Sequence, residues 1–79
     1  MSKLKETIAR VLNISPDEIT NHSSPENIES WDSFNQIMLI SELEATYGIK
    51  FTMDELQRMN SVGEIKQVLR ERGVLSDED

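Results

Sequence analysis

The chain contains no cysteine, only three glycines and two prolines, and few aromatic residues, and these absences narrow what it can be. Without cysteine, a disulfide framework and a thiolate metal site are excluded. The longest unbroken aliphatic run, residues 37–40, is far shorter than a membrane span, and no apolar signal segment follows the charged N-terminus. We therefore expect a cytoplasmic protein.

The small size of the chain argues against an enzyme. Its 79 residues suffice for one domain. A domain of this size buries only about 60% of the surface that its unfolded chain exposes, which leaves little room for an enclosed active site. No set of nucleophile, base and orienting group can be assembled, and the lone His22 is expected at the surface. A non-catalytic binding or carrier module is therefore favoured.

The net charge of −7 is concentrated in the middle of the chain. Residues 15–55 carry nine acidic side chains and one basic side chain, Lys50. Such a field repels nucleic acid and anionic membranes and attracts basic protein surfaces. The acidic residues lack the spacing of a calcium-binding loop. We expect a monomer that binds proteins, with no nucleic acid, membrane or metal ligand.

Hydrophobic spacing and capping signals predict an all-α chain, a small four-helix bundle with a long first loop and a short third helix. Motifs of the form Ser/Thr-x-x-Glu begin at Ser15, Thr52 and Ser61, and Ser2 is a candidate N-cap. Glycines suited to end helices stand at 48 and 73, and the isoleucines at 14, 19 and 28 are the expected anchors of the loop. The predicted helices are 3–13, 32 or 33 to 47, 53–59 and 62–72, within a domain of residues 1–75 followed by an acidic disordered tail at 76–79.

The second predicted helix has two partly apolar stripes. Helical spacing groups Ile37, Ile40, Leu43 and Tyr47, flanked by Leu39, and we expect this stripe to face the core. Glu44 falls near the same stripe, so either the stripe is narrower or Glu44 lies at its exposed edge. The second stripe is available for docking a partner, or its apolar members wrap around the edge of the core. It consists of Phe34, Met38, Ser41 and Ala45, with Glu42 on the neighbouring polar face.

Asp32 and Ser33 stand at the start of this helix. Taken alone, the pair is typical of a helix cap. A serine at the first helical position also presents its hydroxyl to solvent, and a phosphate group esterified there would be favoured by the free backbone N–H groups and the helix dipole. The residues alone leave both interpretations open.

With its neighbours, this pair resembles the acyl carrier proteins. The resemblance covers nearly the whole chain. It rests on Asp32-Ser33-Phe34, on Leu43-Glu44, on Tyr47 to Phe51, on Ser61 to Ile65 and on Ile14 to Ile19. It implies a covalent 4′-phosphopantetheine on Ser33, added by a phosphopantetheinyl transferase with coenzyme A and magnesium, with Asp32 as helix cap and transferase recognition element. The arm carries acyl or aminoacyl groups as thioesters, and loading and transferring enzymes dock through basic or apolar patches. Acyl chains could enter the bundle along Ile37, Leu43, Leu56 and Met59.

Several residues depart from the pattern of fatty-acid-synthesis carriers. Trp31 replaces a small residue and Phe34 replaces the usual leucine, while Met38 and Ala45 stand where acidic residues are common. These departures suggest a specialised biosynthetic pathway. The alternatives are a peptidyl or aminoacyl carrier for nonribosomal assembly and a helical interaction module that is never modified. Trp31 could pack over Ile28 or form an exposed wall beside the arm. The predicted partner-binding residues are Phe34, Met38, Ser41, Glu42, Ala45 and Trp31.

Overall fold

Four α-helices make up most of the computed structural model, which describes residues 3–75. They are α1 (Lys3–Leu12), α2 (Ser33–Tyr47), α3 (Met53–Arg58) and α4 (Val62–Glu71), and one 3₁₀ turn (Pro16–Glu18) lies between α1 and α2. Within residues 3–75 there is no strand. The predicted all-α fold, with its long first loop and short third helix, is confirmed. The N-cap predicted at Ser2 and the tail at 76–79 lie outside the described residues.

Hydrogen bonds from capping side chains fix where the short elements begin. The Thr52 hydroxyl accepts from the Glu55 amide at 3.2 Å, and the Glu55 carboxylate accepts from the Thr52 amide at 2.8 Å. Ser15 and Glu18 form the same reciprocal pair at the 3₁₀ turn. Two of the three predicted capping boxes, those at Ser15 and Thr52, are therefore confirmed. At α4 the Ser61 hydroxyl accepts from the Glu64 amide at 3.2 Å, which is one half of the box predicted there.

Three helices end in a residue with a left-handed backbone. The φ angles are +57° at Asn13, +66° at Gly48 and +73° at Gly73. After each of these residues, the next amide donates to the carbonyl five residues earlier, which is the Schellman motif. The two glycine stops are confirmed, and α1 ends one residue before the predicted limit because Asn13 leaves the helical conformation. The three bonds are Ile14 to Ala9, Ile49 to Glu44 and Val74 to Leu69, at 3.0, 3.2 and 3.1 Å.

The long connection between α1 and α2 is held against the start of α4. The Val62 amide donates to the Ser23 carbonyl at 2.9 Å, and the Gly63 amide donates to the Asn21 carbonyl at 3.0 Å. The Lys66 ammonium donates to the Asn21 side-chain oxygen at 2.8 Å. These contacts satisfy amides that the first turn of a helix leaves without an intrahelical partner. A Cβ on Gly63 would lie 3.1 Å from the Asn21 carbonyl oxygen, a tight contact, so the close approach favours glycine.

The core is formed by α1, α2 and α4, with contributions from the loops. Ile19, one of the predicted loop anchors, is 2% exposed, while Ile14 and Ile28 are partly buried against the core, as expected. Burial of this apolar surface is the main favourable contribution to folding. The buried apolar residues are Leu4, Ile8, Ala9, Leu12, Ile19, Trp31, Leu39, Leu43, Met59, Val62, Ile65, Val68, Leu69 and Leu75.

The face of α2 that enters the core differs from the predicted stripe. Leu39 and Leu43 are fully buried, whereas Ile37 is 68% exposed, so the assignment of Ile37 to the core was wrong. Ile40 and Tyr47 are partly buried. Residues 37–40 are all apolar and cover every side of the helix, so angular spacing could not decide the register. Packing decides it, because α1 packs against α2 and the core between them takes Leu39 and Leu43.

Glu44, whose position the spacing left open, holds the loop after α2. Its carboxylate accepts from the Phe51 amide at 2.9 Å, and its backbone carbonyl accepts from the Ile49 amide at 3.2 Å. The side chain is 21% exposed. Glu44 therefore lies at the edge of the core stripe, where its charge stabilises the turn into α3.

Two ion pairs join α3 and its flanking turn to the end of α4. Arg58 donates to both carboxylate oxygens of Glu71 at 2.8 Å each, and Arg72 donates to both oxygens of Glu55 at 2.7 and 2.8 Å. Arg72 also donates to the Lys50 carbonyl. Hydrogen bonding to the paired guanidinium lowers the pKa of Glu55 and the pKa of Glu71, each to about 2.

These ion pairs predict that the stability of the domain decreases at acid pH. A carboxyl whose folded pKa lies below its unfolded value stabilises the fold above the unfolded value, and this stabilisation is lost as the pH falls. The loss is expected between about pH 4.5 and about pH 2. Thermal unfolding of Glu71→Gln should therefore show a shallower fall of Tm in this range than the wild type. Glu26→Gln, in an exposed loop position, is the control. An equal slope in wild type and Glu71→Gln would contradict the prediction.

Candidate functional site

Ser33 is the first residue of α2, and Asp32 caps the helix in front of it. The Asp32 carboxylate accepts from the Asn35 amide at 2.8 Å, and the Asn35 side chain donates to the Ser30 carbonyl at 2.7 Å. The predicted cap is confirmed. The Ser33 side chain is exposed to solvent. Because Asp32 supplies the cap, the Ser33 hydroxyl is not used to accept an amide of the first turn. The arrangement presents one primary hydroxyl at the positive end of a 15-residue helix.

Trp31 lies beneath this site and not at the surface. It is 2% exposed, so of the two alternatives for Trp31 the exposed wall is excluded, and its assignment as a partner-binding residue was wrong. Its backbone amide donates to the Ile28 carbonyl at 3.0 Å, which ties it to the loop. A large, nearly apolar ring directly before the cap gains most by entering the core, provided that its N–H finds a partner.

Gln36 supplies that partner. The Trp31 indole N–H donates to the Gln36 side-chain oxygen at 2.5 Å, and the Gln36 side-chain nitrogen donates to the Met59 carbonyl at 3.3 Å. We call these two hydrogen bonds the indole bridge. Trp31 and Gln36 occupy the two positions, N′ and N4, that hold the apolar pair of a hydrophobic staple. The sequence has a polar residue at the second position, which excludes the apolar staple but allows this hydrogen-bonded equivalent. The part that Gln36 plays in these bonds was not predicted from the sequence.

An open groove runs from Ser33 between α2 and α3, with a volume of about 800 Å³. We call it the α2–α3 groove. Of the residues predicted to line a path for acyl chains into the bundle, Ile37 and Leu56 line this groove, whereas Leu43 and Met59 are fully buried in the core and do not border it. The groove is lined by Pro25, Trp31, Asp32, Ser33, Gln36, Ile37, Ile40, Leu56 and Asn60.

An exposed apolar face lies beside the groove. Three large apolar side chains on one side of α2 form it: Phe34 (70% exposed), Ile37 (68%) and Met38 (45%). Met53 (69%), the first residue of α3, is exposed as well. The prediction that Phe34 and Met38 are available at the surface agrees with these exposures, and Ser41 and Ala45 are also exposed. Met53 was missed, because α3 has only six residues and its apolar spacing gives no signal of which side is buried. Apolar side chains clustered in this way are typical of a protein-binding surface.

The charge on α2 is partly compensated within the fold. The Arg10 guanidinium donates to the Glu42 carboxylate at 2.8 Å, which joins α1 to α2 across the surface. The Glu44 carboxylate accepts from the Phe51 amide at 2.9 Å and lies 3.9 Å from the Lys50 ammonium. Glu42, although predicted to bind partners, therefore already has a cationic partner. The exposed apolar face is less acidic than the sequence suggests.

The serines of the described segment differ in whether their hydroxyls are already used. The hydroxyl oxygens of Ser15, Ser23, Ser24 and Ser61 accept hydrogen bonds from backbone amides, and that of Ser30 is enclosed without a hydrogen-bond partner. Within residues 3–75, only Ser33 and Ser41 combine an exposed side chain with a hydroxyl that takes no part in a cap or turn. Ser33 alone of these two borders the α2–α3 groove. An exposed hydroxyl at a groove mouth fits an ester-linked arm.

Other kinds of site find little support in residues 3–75. No group of three or more histidine, cysteine, aspartate or glutamate side chains is arranged to hold a metal ion in this part of the chain. None of its helices has the length and apolar character needed to cross a membrane. His22 is exposed, with its amide donating to the Thr20 hydroxyl at 3.2 Å. The Ser33 hydroxyl and the α2–α3 groove at the start of α2 are therefore the candidate functional site.

Two comparisons with known proteins agree with this geometry. A family model described as "Phosphopantetheine attachment site" matches residues 2–69. The fold is similar to the solution NMR structure of a holo acyl carrier protein from Geobacter metallireducens, with a TM-score of 0.72 and 29% sequence identity. The match covers 92% of this chain and 90% of that one. The family-model match includes α2 and the loop that precedes it.

Proposed function

Because this chain belongs to the phosphopantetheine-attachment family of acyl carrier proteins, we propose that Ser33 is the residue that bears its covalent 4′-phosphopantetheine arm. The observation that carries the proposal is the exposed, uncommitted Ser33 hydroxyl at the mouth of the α2–α3 groove. The chain has no cysteine, and the arm, when bound, supplies the thiol on which acyl groups travel as thioesters. The chain itself is a carrier that delivers these groups to partner enzymes.

The residues around Ser33 favour a phosphodiester at this position. Asp32 uses the Asn35 amide as its capping donor, which leaves the amides of Ser33 and Phe34 directed out of the helix start. These N–H groups and the helix dipole attract a phosphate charge. On attachment, the serine oxygen forms the new bond to phosphorus, the pyrophosphate bond of coenzyme A breaks, and the nucleotide half leaves. The serine proton passes to the transferase, and Asp32 serves as the cap that this enzyme recognises.

Intact-protein mass spectrometry tests the proposal. The full chain is incubated with a broad-specificity phosphopantetheinyl transferase, coenzyme A and magnesium. We expect a gain of exactly one phosphopantetheinyl group, mapped by peptide fragmentation to Ser33. No gain, under conditions that fully modify an authentic acyl carrier protein, would overturn the proposal and favour the alternative, a helical interaction module that is never modified.

We propose further that partner enzymes dock on the exposed apolar face more than on acidic side chains. Phe34, Ile37 and Met38 lie next to Ser33 on α2 and are at least 45% exposed, whereas Glu42 is paired with Arg10 at 2.8 Å. Ser41 and Ala45 extend this surface along the helix. The transferase and the loading and transferring enzymes then require an apolar socket for these side chains. This departure from an acidic docking helix supports a specialised biosynthetic pathway.

Two substitutions on α2 separate apolar from charged recognition. Met38→Asn removes apolar contact area without adding charge, and we expect it to lower kcat/KM of the transferase about tenfold, the loss typical of one important interface residue. Glu42→Gln removes a charge that Arg10 already compensates and should change kcat/KM by less than about threefold. The rates are measured at low and moderate salt. A larger effect from Glu42→Gln than from Met38→Asn would contradict apolar docking.

The cargo distinguishes two classes of carrier. Charging the modified protein with acyl-activating enzymes favours an acyl carrier, and charging it only with amino-acid-adenylating enzymes favours an aminoacyl carrier for nonribosomal assembly. The groove supports the acyl class, because Ile37, Ile40 and Leu56 give it apolar walls.

A further inference from the structure

We infer that Gln36 is a positioning residue that closes the interior of the bundle to the cargo, so that this carrier holds short acyl groups in the α2–α3 groove and does not enclose long ones. The inference rests on the proposed function of Ser33. Its physical basis is the indole bridge, which joins the residue before the cap, the first turn of α2 and the end of α3. Trp31 and Gln36 both line the groove, and Met59 lies behind them in the core.

The indole bridge uses both polar atoms of the Gln36 side chain. The oxygen accepts from the Trp31 indole at 2.5 Å, and the nitrogen donates to the Met59 carbonyl at 3.3 Å. Trp31 is only 2% exposed with Gln36 in place, so a group that takes the position of Gln36 also keeps water from the indole N–H. An alkyl chain that displaced Gln36 would leave this buried donor unpaired, since methylene groups accept no hydrogen bond. The bridge therefore resists entry by an apolar chain.

The space outside the bridge suits a short chain. Ile37, Ile40 and Leu56 provide apolar contact along the open groove, and Asn60 and Asp32 give it polar edges. Behind the bridge, Leu39, Leu43 and Met59 are fully buried and belong to the packed core. A chain that outgrows the groove must therefore extend into solvent or onto a partner, because its further methylenes find no apolar space in the bundle.

Chain-length dependence of thioester protection tests the inference. The full protein is loaded at Ser33 with butanoyl, hexanoyl, octanoyl, decanoyl and dodecanoyl arms, and cleavage of each thioester by hydroxylamine is timed. In the wild type we expect protection to stop rising after the short chains. In Gln36→Leu it should continue to rise, since each further methylene that is buried favours the enclosed state by up to about fourfold. The dodecanoyl thioester should then be cleaved at least about fourfold more slowly than in the wild type.

A second readout and two controls separate closure of the bundle interior by Gln36 from a general structural effect. Trp31 is the only tryptophan, so its fluorescence reports directly on occupancy at the bridge and should respond to long chains in Gln36→Leu alone. Gln36→Glu retains an acceptor for the indole and should keep the wild-type limit. Gln57→Leu makes the same exchange at an exposed position of α3 and should also keep it.

The outcomes are distinguishable. Failure to load Ser33 at all would overturn the proposed function and this inference with it. A fully loaded wild type whose protection rises through dodecanoyl would overturn the inference alone, without any variant having to fold. A limit that is the same in Gln36→Leu and the wild type would also overturn it.

Discussion

Ser33→Ala is expected to abolish the gain of a phosphopantetheinyl group completely, because alanine has no oxygen to form the phosphoester. The side chain is exposed and makes no cap or core contact, so the free energy of unfolding should change by less than about 0.5 kcal/mol. The loss would then be chemical and not a consequence of unfolding. Intact mass after incubation with transferase, coenzyme A and magnesium measures it, and circular dichroism establishes that the variant is folded.

Ser41→Ala is the matched control for this substitution. Ser41 is exposed on the same helix and, like Ser33, its hydroxyl takes no part in a cap or turn. It differs in lying outside the α2–α3 groove and away from the helix start. We expect Ser41→Ala to be modified like the wild type. Modification that persists in Ser33→Ala and disappears in Ser41→Ala would reassign the attachment site.

Trp31→Ala should cause the largest loss of stability. Removing a fully buried aromatic side chain costs about 3–5 kcal/mol, and a 79-residue domain has a total stability of about 4–12 kcal/mol. The variant should therefore lose from about a quarter to all of its stability. Trp31→Phe retains most of the apolar contact but leaves the Gln36 oxygen without its donor, so a smaller loss of about 1–3 kcal/mol is expected. Urea unfolding followed by circular dichroism measures both.

Phe34→Ala provides the comparison for Trp31. It removes an aromatic side chain of similar chemistry three residues further along the chain, but one that is 70% exposed. Its cost in unfolding free energy should stay below about 1 kcal/mol, because little area is withdrawn from the core. Equal costs for Phe34→Ala and Trp31→Ala would mean that the two rings have been assigned to the wrong environments.

Helix starts and stops could be predicted because their causes are local. The bonds from Asp32, Thr52 and Ser15 reach amides two or three residues away, so the sequence contains both partners. The left-handed stops at Gly48 and Gly73 follow from the same short range. Asp32 and Ser33 could therefore be located at the start of α2 from the sequence alone.

The orientation of α2 could not be predicted in this way. Four consecutive apolar residues, 37–40, allow several buried faces, and the choice between Ile37 and Leu39 depends on what packs against the helix. The element packed on α2 is α1, and Trp31 enters the same core with its indole N–H bonded to Gln36. Trp31 and Gln36 occupy the two staple positions, but an apolar staple requires an apolar residue at the second, where the sequence has glutamine. Tertiary packing therefore places Leu39 in the core and Ile37 at the surface beside the candidate site, contrary to the prediction for Ile37.

The hydrogen bonds between the long loop and the start of α4 also make local opening of this loop measurable by hydrogen exchange. Amides in the first turn of a helix commonly exchange their hydrogens rapidly with water, because no intrahelical carbonyl protects them. Here the Val62 and Gly63 amides donate to the Ser23 and Asn21 carbonyls at 2.9 and 3.0 Å. The rate at which these two amides exchange with deuterium therefore reports the opening of the segment that leads into Asp32 and Ser33. Exchange of the amides within α2 reports the opening of that helix separately.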